Sequence, residues 1–161
     1  MILLSEVVAE VESKGLLHVV RFEPHWYDRL MRKADEPAVA AVAQTCRRAH
    51  NWPPWVSFQT VAAFLSCSWG RYQILGWNIY AHMLYEGPLW LYVLDPEAQY
   101  RTFERFLATF NMFDDDFQAF DDRALHRFAV YYNGPARPAE YVARLRSAYS
   151  RLREARDGKR G

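Results

Sequence analysis

The stretch "SCSWGRYQILGWN", residues 66–78, places large aromatic and aliphatic side chains among glycine, serine, glutamine and asparagine. Its glycines disfavour one continuous helix, because each glycine destabilises a helix interior by about 1 kcal/mol relative to alanine. An ordinary surface loop would not carry so many large apolar side chains, since contiguous exposed apolar patches mark binding sites. The composition therefore predicts that this segment lines a groove for a polar ligand with flat faces, such as a sugar chain.

Length and composition predict one domain with a sizeable core. The chain has 161 residues, of which 51% are hydrophobic and 16% aromatic, and a chain of this length usually forms a single domain. The chain has six Trp and ten Tyr, more than core packing alone usually requires. These side chains favour positions where the apolar part of the ring is buried and the polar group reaches water. We predict one domain over residues 1–155, a charged tail over residues 156–161, and a monomer.

The charge balance and the hydropathy pattern argue against two classes of partner. A formal net charge of +1 gives no basic footprint for nucleic acid. No apolar run approaches the roughly 20 residues of a membrane span, and the N-terminus lacks the basic start of a secretory signal. We therefore expect a protein that is made in a cytosol, binds no nucleic acid and does not insert into a membrane.

Periodicity and end signals predict a mostly helical chain. Ser5 is predicted to cap a first helix that ends near Gly15, and Asp95 to cap a later one. Residues 16–24, which are β-branched and apolar, are predicted to be extended. Further helices are predicted over residues 25–34, 36–50, 57–69, 76–87, 95–113, 123–132 and 138–155. The predicted fold class is α+β, mostly α-helical, with a short β or extended element near the front.

The two cysteines, Cys46 and Cys67, stand outside any CxxC or Cys/His metal pattern. Both are interpreted as buried thiols, with a disulfide between them as the alternative. The acidic run 114–116 is interpreted as a solvated loop with a helix cap rather than as a cation site. No phosphate-binding loop and no Ser/His/Asp or Cys/His arrangement is recognisable, and we predict that the protein uses no metal or cofactor.

Glu12 is a candidate general acid. It lies at the C-terminal end of the first predicted helix, just before Gly15, where the helix dipole disfavours a carboxylate. In apolar and aromatic surroundings such a group stays protonated near neutral pH, as the protonation of a glycosidic oxygen requires. A solvated side chain beside Glu10 is the alternative interpretation.

Glu23 is a candidate second carboxylate. It follows the extended segment, lies among aromatic residues and precedes His25 by two positions. A carboxylate that faces Glu12 would complete the pair that glycosidases use. The alternative is an ion pair with Arg21 or Arg29.

Several segments occur together in an order that is typical of one enzyme family. They are "AEVESKG" at 9–15, "RFEPHWYDRL" at 21–30, "SCSWGRYQILGWN" at 66–78, "QYRTFERFLATFN" at 99–111 and "AVYYNGP" at 129–135. This pattern resembles the phage-type N-acetylmuramidase endolysins, which belong to the lysozyme-like superfamily with goose-type lysozymes and soluble lytic transglycosylases. The resemblance runs from about Val7 to Tyr149. It implies a lysozyme-like fold, with a groove between a small front lobe and a helical body.

The resemblance also implies roles for individual residues. Glu12 would be the catalytic acid, and Glu23 the second catalytic carboxylate. Gly70 would let the backbone approach the glycan, Gln73 would hydrogen-bond sugar substituents, and Trp69 would form a stacking wall. The other substrate-binding residues implied in this way are Ser13, His25, Ser68, Tyr132 and Asn133, with Tyr132 also bonded to Glu12.

Two departures from the family pattern concern the front of the chain. Lys14 stands where family members usually carry a second glycine after Glu-Ser. Only residues 16–21 separate Gly15 from the Phe22-Glu23 pair, where the family has a longer segment with a hairpin turn. The hairpin is therefore predicted to be shortened or lost, and the position of Glu23 depends on how the chain replaces it.

The resemblance thus implies a peptidoglycan-degrading endolysin that cleaves the β-1,4 bond between N-acetylmuramic acid and N-acetylglucosamine. Its partner would be the glycan strand of bacterial peptidoglycan. It would act when a bacteriophage lyses its host, and its activity would be antimicrobial. The enzyme would be made in the host cytoplasm and reach the wall after release or within a virion. The alternatives are a lytic transglycosylase that uses the same Glu12, and an impaired glycan-binding or structural virion protein. A helical nucleic-acid module, suggested only by the arginines of the last helix, is a more distant alternative.

Overall fold

Helices dominate the chain, and a small sheet completes it. The computed structural model describes residues 1–159. Within this range the helices are α1 (Leu4–Ser13), α2 (Pro24–Arg32), α3 (Pro37–His50), α4 (Phe58–Leu65), α5 (Gly76–Ala81), α6 (Leu89–Tyr92), α7 (Pro96–Ala108), α8 (Asp122–Asn133) and α9 (Pro138–Asp157). The strands are β1 (Val20–Phe22), β2 (Cys67–Trp69) and β3 (Ile74–Leu75). The predicted mostly helical α+β class is confirmed, and none of these helices has the length and apolar character needed to cross a membrane.

The strands form an antiparallel sheet in the order β1-β2-β3. In the pairing of β1 with β2, Arg21 lies opposite Ser68. Because side chains alternate along an extended chain, Arg21 and Glu23 lie on one face of the sheet and Phe22 on the other. The predicted extended segment 16–24 therefore supplies the edge strand of a sheet whose other strands come from the middle of the chain.

Residues 66–78 form a β-hairpin and the start of a helix, so the prediction of one helix over residues 57–69 is wrong. α4 ends at Leu65, and the chain continues into β2, a tight turn and β3. The strand is preferred because its backbone pairs with β1 and β3, a tertiary interaction that overrides local helix propensity. The Trp69 indole N–H donates to the Phe64 carbonyl at 3.0 Å and ties β2 to the end of α4.

Gly70 and Gly76 are required at the two ends of this hairpin. Gly70 has a φ of +76°, which favours glycine, and a Cβ there would lie 2.6 Å from the side-chain oxygen of Gln99. A Cβ at Gly76 would lie 2.5 Å from the carbonyl oxygen of Phe64. The close packing of α5 on α4 therefore depends on the missing side chain.

The helix predicted over residues 95–113 ends at Ala108, and two further helix ends differ from the prediction for a clear structural reason. Ser5 lies inside α1 rather than at its cap, and its backbone N–H donates to Asp114 Oδ1 at 2.8 Å. The helix predicted over residues 76–87 ends at Ala81, because the chain turns at Met83, which has a left-handed φ of 52°. Both ends are set by contacts or turns that helical periodicity does not report.

The central helix of the fold is α1. It packs against α9, which in turn packs against α8, and its Leu4, Val7 and Val8 side chains are fully buried. At its other end the Ser13 hydroxyl donates to the Arg71 carbonyl at 2.8 Å. The last turn of α1 is therefore held against the hairpin, and this placement determines where the groove lies.

The C-terminal helix continues past the predicted domain end. α9 runs to Asp157, and Arg156 forms an ion pair with Glu6 of α1. Two residues of the predicted tail, 156 and 157, are thus helical. The domain boundary at residue 155 stays a prediction. Tail residues 158 and 159 follow the helix as a turn, and residues 160 and 161 lie outside the described range.

Both cysteines are free thiols, which confirms that interpretation over a disulfide. Cys46 is buried, whereas Cys67 is only partly buried. Burial raises the pKa of the Cys46 thiol to about 12, so this side chain stays neutral and packs as an apolar group.

The His50 side chain stabilises the fold in its neutral form. Its Nδ1 donates to the Cys46 carbonyl at 2.9 Å, and its Nε2 accepts from the Leu89 N–H at 3.1 Å. Burial lowers the pKa of His50, a shift that the hydrogen bond to Cys46 only partly offsets. Protonation would cost the bond from Leu89, because a protonated Nε2 cannot accept.

We therefore expect a pH-dependent contribution of His50 to stability. The pKa of this group is lower in the folded than in the unfolded chain, so its contribution is complete above about pH 6.5 and is lost as the pH falls further. Urea unfolding between about pH 8 and pH 5 should show a shallower pH slope for His50→Gln than for the wild-type chain. His82→Gln, at an exposed position, should keep the wild-type slope, and equal slopes in all three proteins would contradict this role.

Candidate active site

A groove of about 480 Å³ opens beside the small sheet and the C-terminal end of α8. It brings together two carboxyl groups, two guanidinium groups and several aromatic rings, a composition suited to a polar ligand with flat faces. The residues that line it are Glu12, Arg21, Glu23, His25, Trp26, Arg29, Ser68, Gln73, Ile74, Leu75, Asn78, Phe106, Tyr131, Tyr132, Asn133, Gly134 and Pro135.

Glu12 lies in the wall of this groove, in the last turn of α1. Only 7% of its side chain is exposed, so the alternative of a solvated carboxylate does not hold. The chain leaves the helix through Lys14 and Gly15, both of which have left-handed φ values. The Tyr141 hydroxyl donates to Glu12 Oε1 at 2.9 Å and fixes that oxygen.

The partner of Glu12 is Tyr141, and the prediction that Tyr132 fills this role is wrong. Tyr132 instead donates its hydroxyl proton to the carbonyl of Tyr72. Burial raises the pKa of Tyr141, and the neighbouring Tyr132 and the charge of Glu12 raise it further. Tyr141 therefore remains a neutral hydrogen-bond donor. Its position four residues before Leu145 was a helical signal that could have placed it on the buried face of α9.

Arg21 makes the second contact to Glu12. Its Nη1 lies 3.4 Å from Glu12 Oε2, and its Nη2 donates to the Glu12 carbonyl at 3.1 Å. Half of the Arg21 side chain is exposed. The guanidinium thus bridges the sheet and the end of α1, and it approaches the carboxyl oxygen that Tyr141 leaves free.

Glu23 reaches the same groove from the end of β1. Its backbone N–H donates to the Ser66 carbonyl at 2.9 Å, so it continues the pairing of β1 with the region of β2. Its Oε1 accepts from the Ser68 hydroxyl at 3.4 Å. Among residues 1–159, no ion pair joins Glu23 to Arg21 or Arg29, the alternative considered from the sequence. The shortened front segment therefore still brings a second carboxylate to the groove.

Three of the predicted substrate-binding residues lie outside the groove lining. Ser13 uses its hydroxyl to bond the Arg71 carbonyl, and it is 6% exposed. Trp69 is 8% exposed, and its ring packs toward Phe64, so it does not offer a face for stacking. Gly70 faces the Gln99 side chain rather than a ligand. These residues shape the hairpin behind the groove.

The predicted residues that do line the groove are Glu12, Glu23, His25, Ser68, Gln73, Tyr132 and Asn133. Among them, Gln73 uses its side-chain N–H groups for hydrogen bonds within the fold. Its Nε2 donates to the carbonyls of Val19 and Gly70 at 2.9 Å each. Its Oε1 is buried and has no partner within the described part of the chain. The Gln73 amide therefore closes the hairpin turn and leaves one acceptor at the groove wall.

Sequence reasoning missed the aromatic and basic residues that border the groove on α2 and α8. Arg29 lies over the Trp26 ring at 5.1 Å, and both follow His25 on one face of α2. Tyr131 stacks on Phe110 with ring centroids 4.2 Å apart. The spacing of His25, Trp26 and Arg29 on a short amphipathic helix was a signal for a shared face.

No group of three or more His, Cys, Asp or Glu side chains between residues 1 and 159 is arranged to hold a metal ion.

A buried carboxyl group and a second carboxylate in an open groove are the pair of groups that glycoside hydrolases use. Comparison with known proteins identifies the family within this class. Residues 5–153 match the N-acetylmuramidase family model, termed Muramidase, and the chain belongs to this family. The chain is also similar to the endolysin of Enterobacteria phage PRD1, with 29% identity over 139 residues that cover 85% of this chain and 89% of the relative. No solved structure matches the chain significantly.

Family membership confirms the resemblance drawn from the sequence motifs. The chain therefore belongs to a family of glycoside hydrolases that act on peptidoglycan. The matched region includes both groove carboxylates and extends to α9, so the whole groove lies within the family model.

Proposed function

We propose that the chain hydrolyses the β-1,4 bond between N-acetylmuramic acid and N-acetylglucosamine, with Glu12 as general acid. The observation that carries this proposal is the burial of the Glu12 side chain in the groove wall, where Tyr141 holds one oxygen. A general acid needs a fixed position beside the leaving oxygen and surroundings that favour its protonated form. The groove supplies the fixed position, because the end of α1 carries Glu12 and the Tyr141 hydroxyl of α9 holds its Oε1.

The two oxygens of Glu12 have different tasks in this mechanism. Oε1 accepts from Tyr141, so Oε2 is the oxygen that delivers a proton. The Arg21 guanidinium approaches Oε2 at 3.4 Å, and it has no lone pair that accepts a proton. A sugar that enters the groove must displace the half-exposed Arg21 side chain from Oε2. The acid proton can then pass to the glycosidic oxygen.

Glu23 is proposed as the second carboxylate. As general base it would hold a water molecule beside the sugar ring and take its proton while the water attacks the anomeric carbon. Its hydrogen bond from Ser68, on the neighbouring strand, orients one carboxylate oxygen and leaves the other for water. The fixed pairing of β1 with β2 supports this role, because it limits the motion of both side chains.

The biological setting is proposed from the relative. The similar protein of phage PRD1 is named an endolysin, and we extend that role to this chain. It would degrade the host cell wall during bacteriophage lysis, after release from the cytoplasm or from a virion.

The identity of the new reducing end tests the proposed bond. Purified peptidoglycan is digested, reduced with borohydride and hydrolysed to single sugars. Cleavage after N-acetylmuramic acid yields muramicitol. Glucosaminitol in its place would indicate the other glycosidic bond. Released fragments with neither product would indicate a lytic transglycosylase, whose anhydro ends are not reduced. Wall binding without release of fragments would indicate a glycan-binding protein without turnover.

Tyr141→Phe is expected to lower kcat by about 10- to 100-fold, because it removes the donor that positions Glu12 while it keeps the ring. Clearing of purified cell walls measures the rate. Tyr149→Phe is the matched control, since Tyr149 lies on the same helix and stacks on Phe117 away from Glu12. An unchanged rate in Tyr141→Phe would show that this hydrogen bond has no part in catalysis.

A further inference from the structure

One exposed face of α8 is basic over little more than one helical turn. Arg123, His126 and Arg127 are exposed, and their spacing of three or four residues places them on one side of the helix. With Asp121, Ala124, Val130 and Tyr131 they line a shallow depression of about 550 Å³. We call Arg123, His126, Arg127, Val130 and Tyr131 the basic shelf.

The basic shelf continues directly from the candidate active site. Tyr131 borders both the depression and the groove. Its ring is held in place by stacking on Phe110 at 4.2 Å. The next residues of α8, Tyr132 and Asn133, line the groove itself. A ligand that leaves the groove past Tyr131 therefore meets the shelf without crossing another element.

The positive charges of the shelf are not neutralised by the protein. Among residues 1–159, no ion pair includes Arg123, His126 or Arg127. Of the neighbouring acidic groups, Asp121 lies at the edge of the depression and accepts from the Ala124 N–H at the helix start, and Asp122 pairs with Arg146. The shelf thus offers unpaired guanidinium groups, which bind carboxylates through two parallel hydrogen bonds.

We propose that the basic shelf binds the carboxylate groups of the peptide stems of peptidoglycan, an inference that rests on the proposed function. Each N-acetylmuramic acid carries a peptide with free carboxylates, so a glycan strand in the groove must project an anionic chain outward. Residues 123–131 span about 12 Å along the helix axis, and four extended peptide residues span about 13 Å. The shelf therefore matches such a stem in charge and in length, and Val130 and Tyr131 offer apolar contact beside the sugar.

The test combines a change in the enzyme with a matching change in the substrate. Arg123→Gln/Arg127→Gln is compared with the wild-type chain on intact peptidoglycan and on peptidoglycan whose carboxylates are amidated by carbodiimide and ammonia. For the wild-type chain we expect kcat/KM to fall about tenfold on the amidated substrate. The double variant should show this lower value on both substrates, because the two changes remove the same interaction.

Arg48→Gln/Arg101→Gln is the control, since it removes the same charge from exposed positions outside the groove and the shelf. This control should respond to amidation as the wild-type chain does. The proposal is overturned if Arg123→Gln/Arg127→Gln loses as much on amidation as the wild-type chain, or if it equals the wild-type chain on intact substrate. It is also overturned if the variant loses only binding to anionic lipid vesicles. Failure of the proposed function would look different, because the wild-type chain would then cleave neither substrate.

Discussion

Replacement of Glu12 by glutamine is expected to reduce turnover of peptidoglycan by about 10³-fold, within the range attributed to general acid catalysis. Glutamine keeps the side-chain length and an oxygen that accepts from Tyr141, but its amide cannot deliver the proton. We therefore expect loss of kcat without loss of structure. Clearing of purified cell walls measures activity, thermal unfolding measures the fold, and cosedimentation with walls measures binding.

The control for Glu12→Gln is Glu10→Gln. Glu10 lies in the same helix, two residues earlier, and its only ion pair within residues 1–159 is with Arg151 at 3.8 Å. This variant should keep activity within about twofold of wild type, because exposed ion pairs contribute little. Glu12→Gln protein that is folded and clears walls at more than a tenth of the wild-type rate would rule out Glu12 as the acid.

Replacement of Gln99 by leucine is expected to destabilise the fold by about 3 to 5 kcal/mol, because several buried polar groups lose their partner at once. Gln99 is fully buried. Its Oε1 accepts from the Arg71 N–H at 2.6 Å, and its Nε2 donates to the carbonyls of Leu17 and Tyr92 at 3.1 Å each. Leucine has a similar size but can make none of these bonds. Urea unfolding gives the change in free energy.

The Gln99→Leu substitution is expected to disturb the candidate active site as well. Gln99 joins the hairpin turn, the segment before β1 and the end of α6, so its removal loosens the strands that carry Arg21 and Glu23. Gln59→Leu, at an exposed position of α4, is the matched control and should stay within about 0.5 kcal/mol of wild type. A Gln99→Leu protein of unchanged stability would show that these bonds are replaced by other contacts.

Features that depend on neighbouring residues in the chain could be predicted from the sequence. Asp95 caps α7 as predicted, because its side chain accepts from the N–H groups of Glu97 and Ala98 within the same turn. The end of α1 near Gly15 was predicted on the same local grounds, and with it the position of Glu12 at a helix terminus. These interactions involve residues a few positions apart, so the sequence contains all of the information needed.

Features that depend on distant segments could not be predicted in this way. Residues 67–69 pair with β3 in a local hairpin and also with β1, which lies more than 40 positions earlier. The choice of Tyr141 rather than Tyr132 as the partner of Glu12 depends on how α8 and α9 pack against α1. The family motif indicated Tyr132, whereas the structure has Tyr141 as the donor to Glu12. The motif could not decide between two tyrosines on adjacent helices, whose hydroxyl positions are set by packing.

The most direct test of Glu12-driven hydrolysis is mass spectrometry of fragments released from purified peptidoglycan in water enriched in oxygen-18. If an activated water attacks the anomeric carbon, each new reducing-end N-acetylmuramic acid carries one heavy oxygen, and Glu12→Gln releases fragments about 10³-fold more slowly. Anhydro fragments, lighter by one water and without label, would contradict hydrolysis and identify an intramolecular attack by the sugar. Labelled fragments released equally by Glu12→Gln would contradict the role of Glu12.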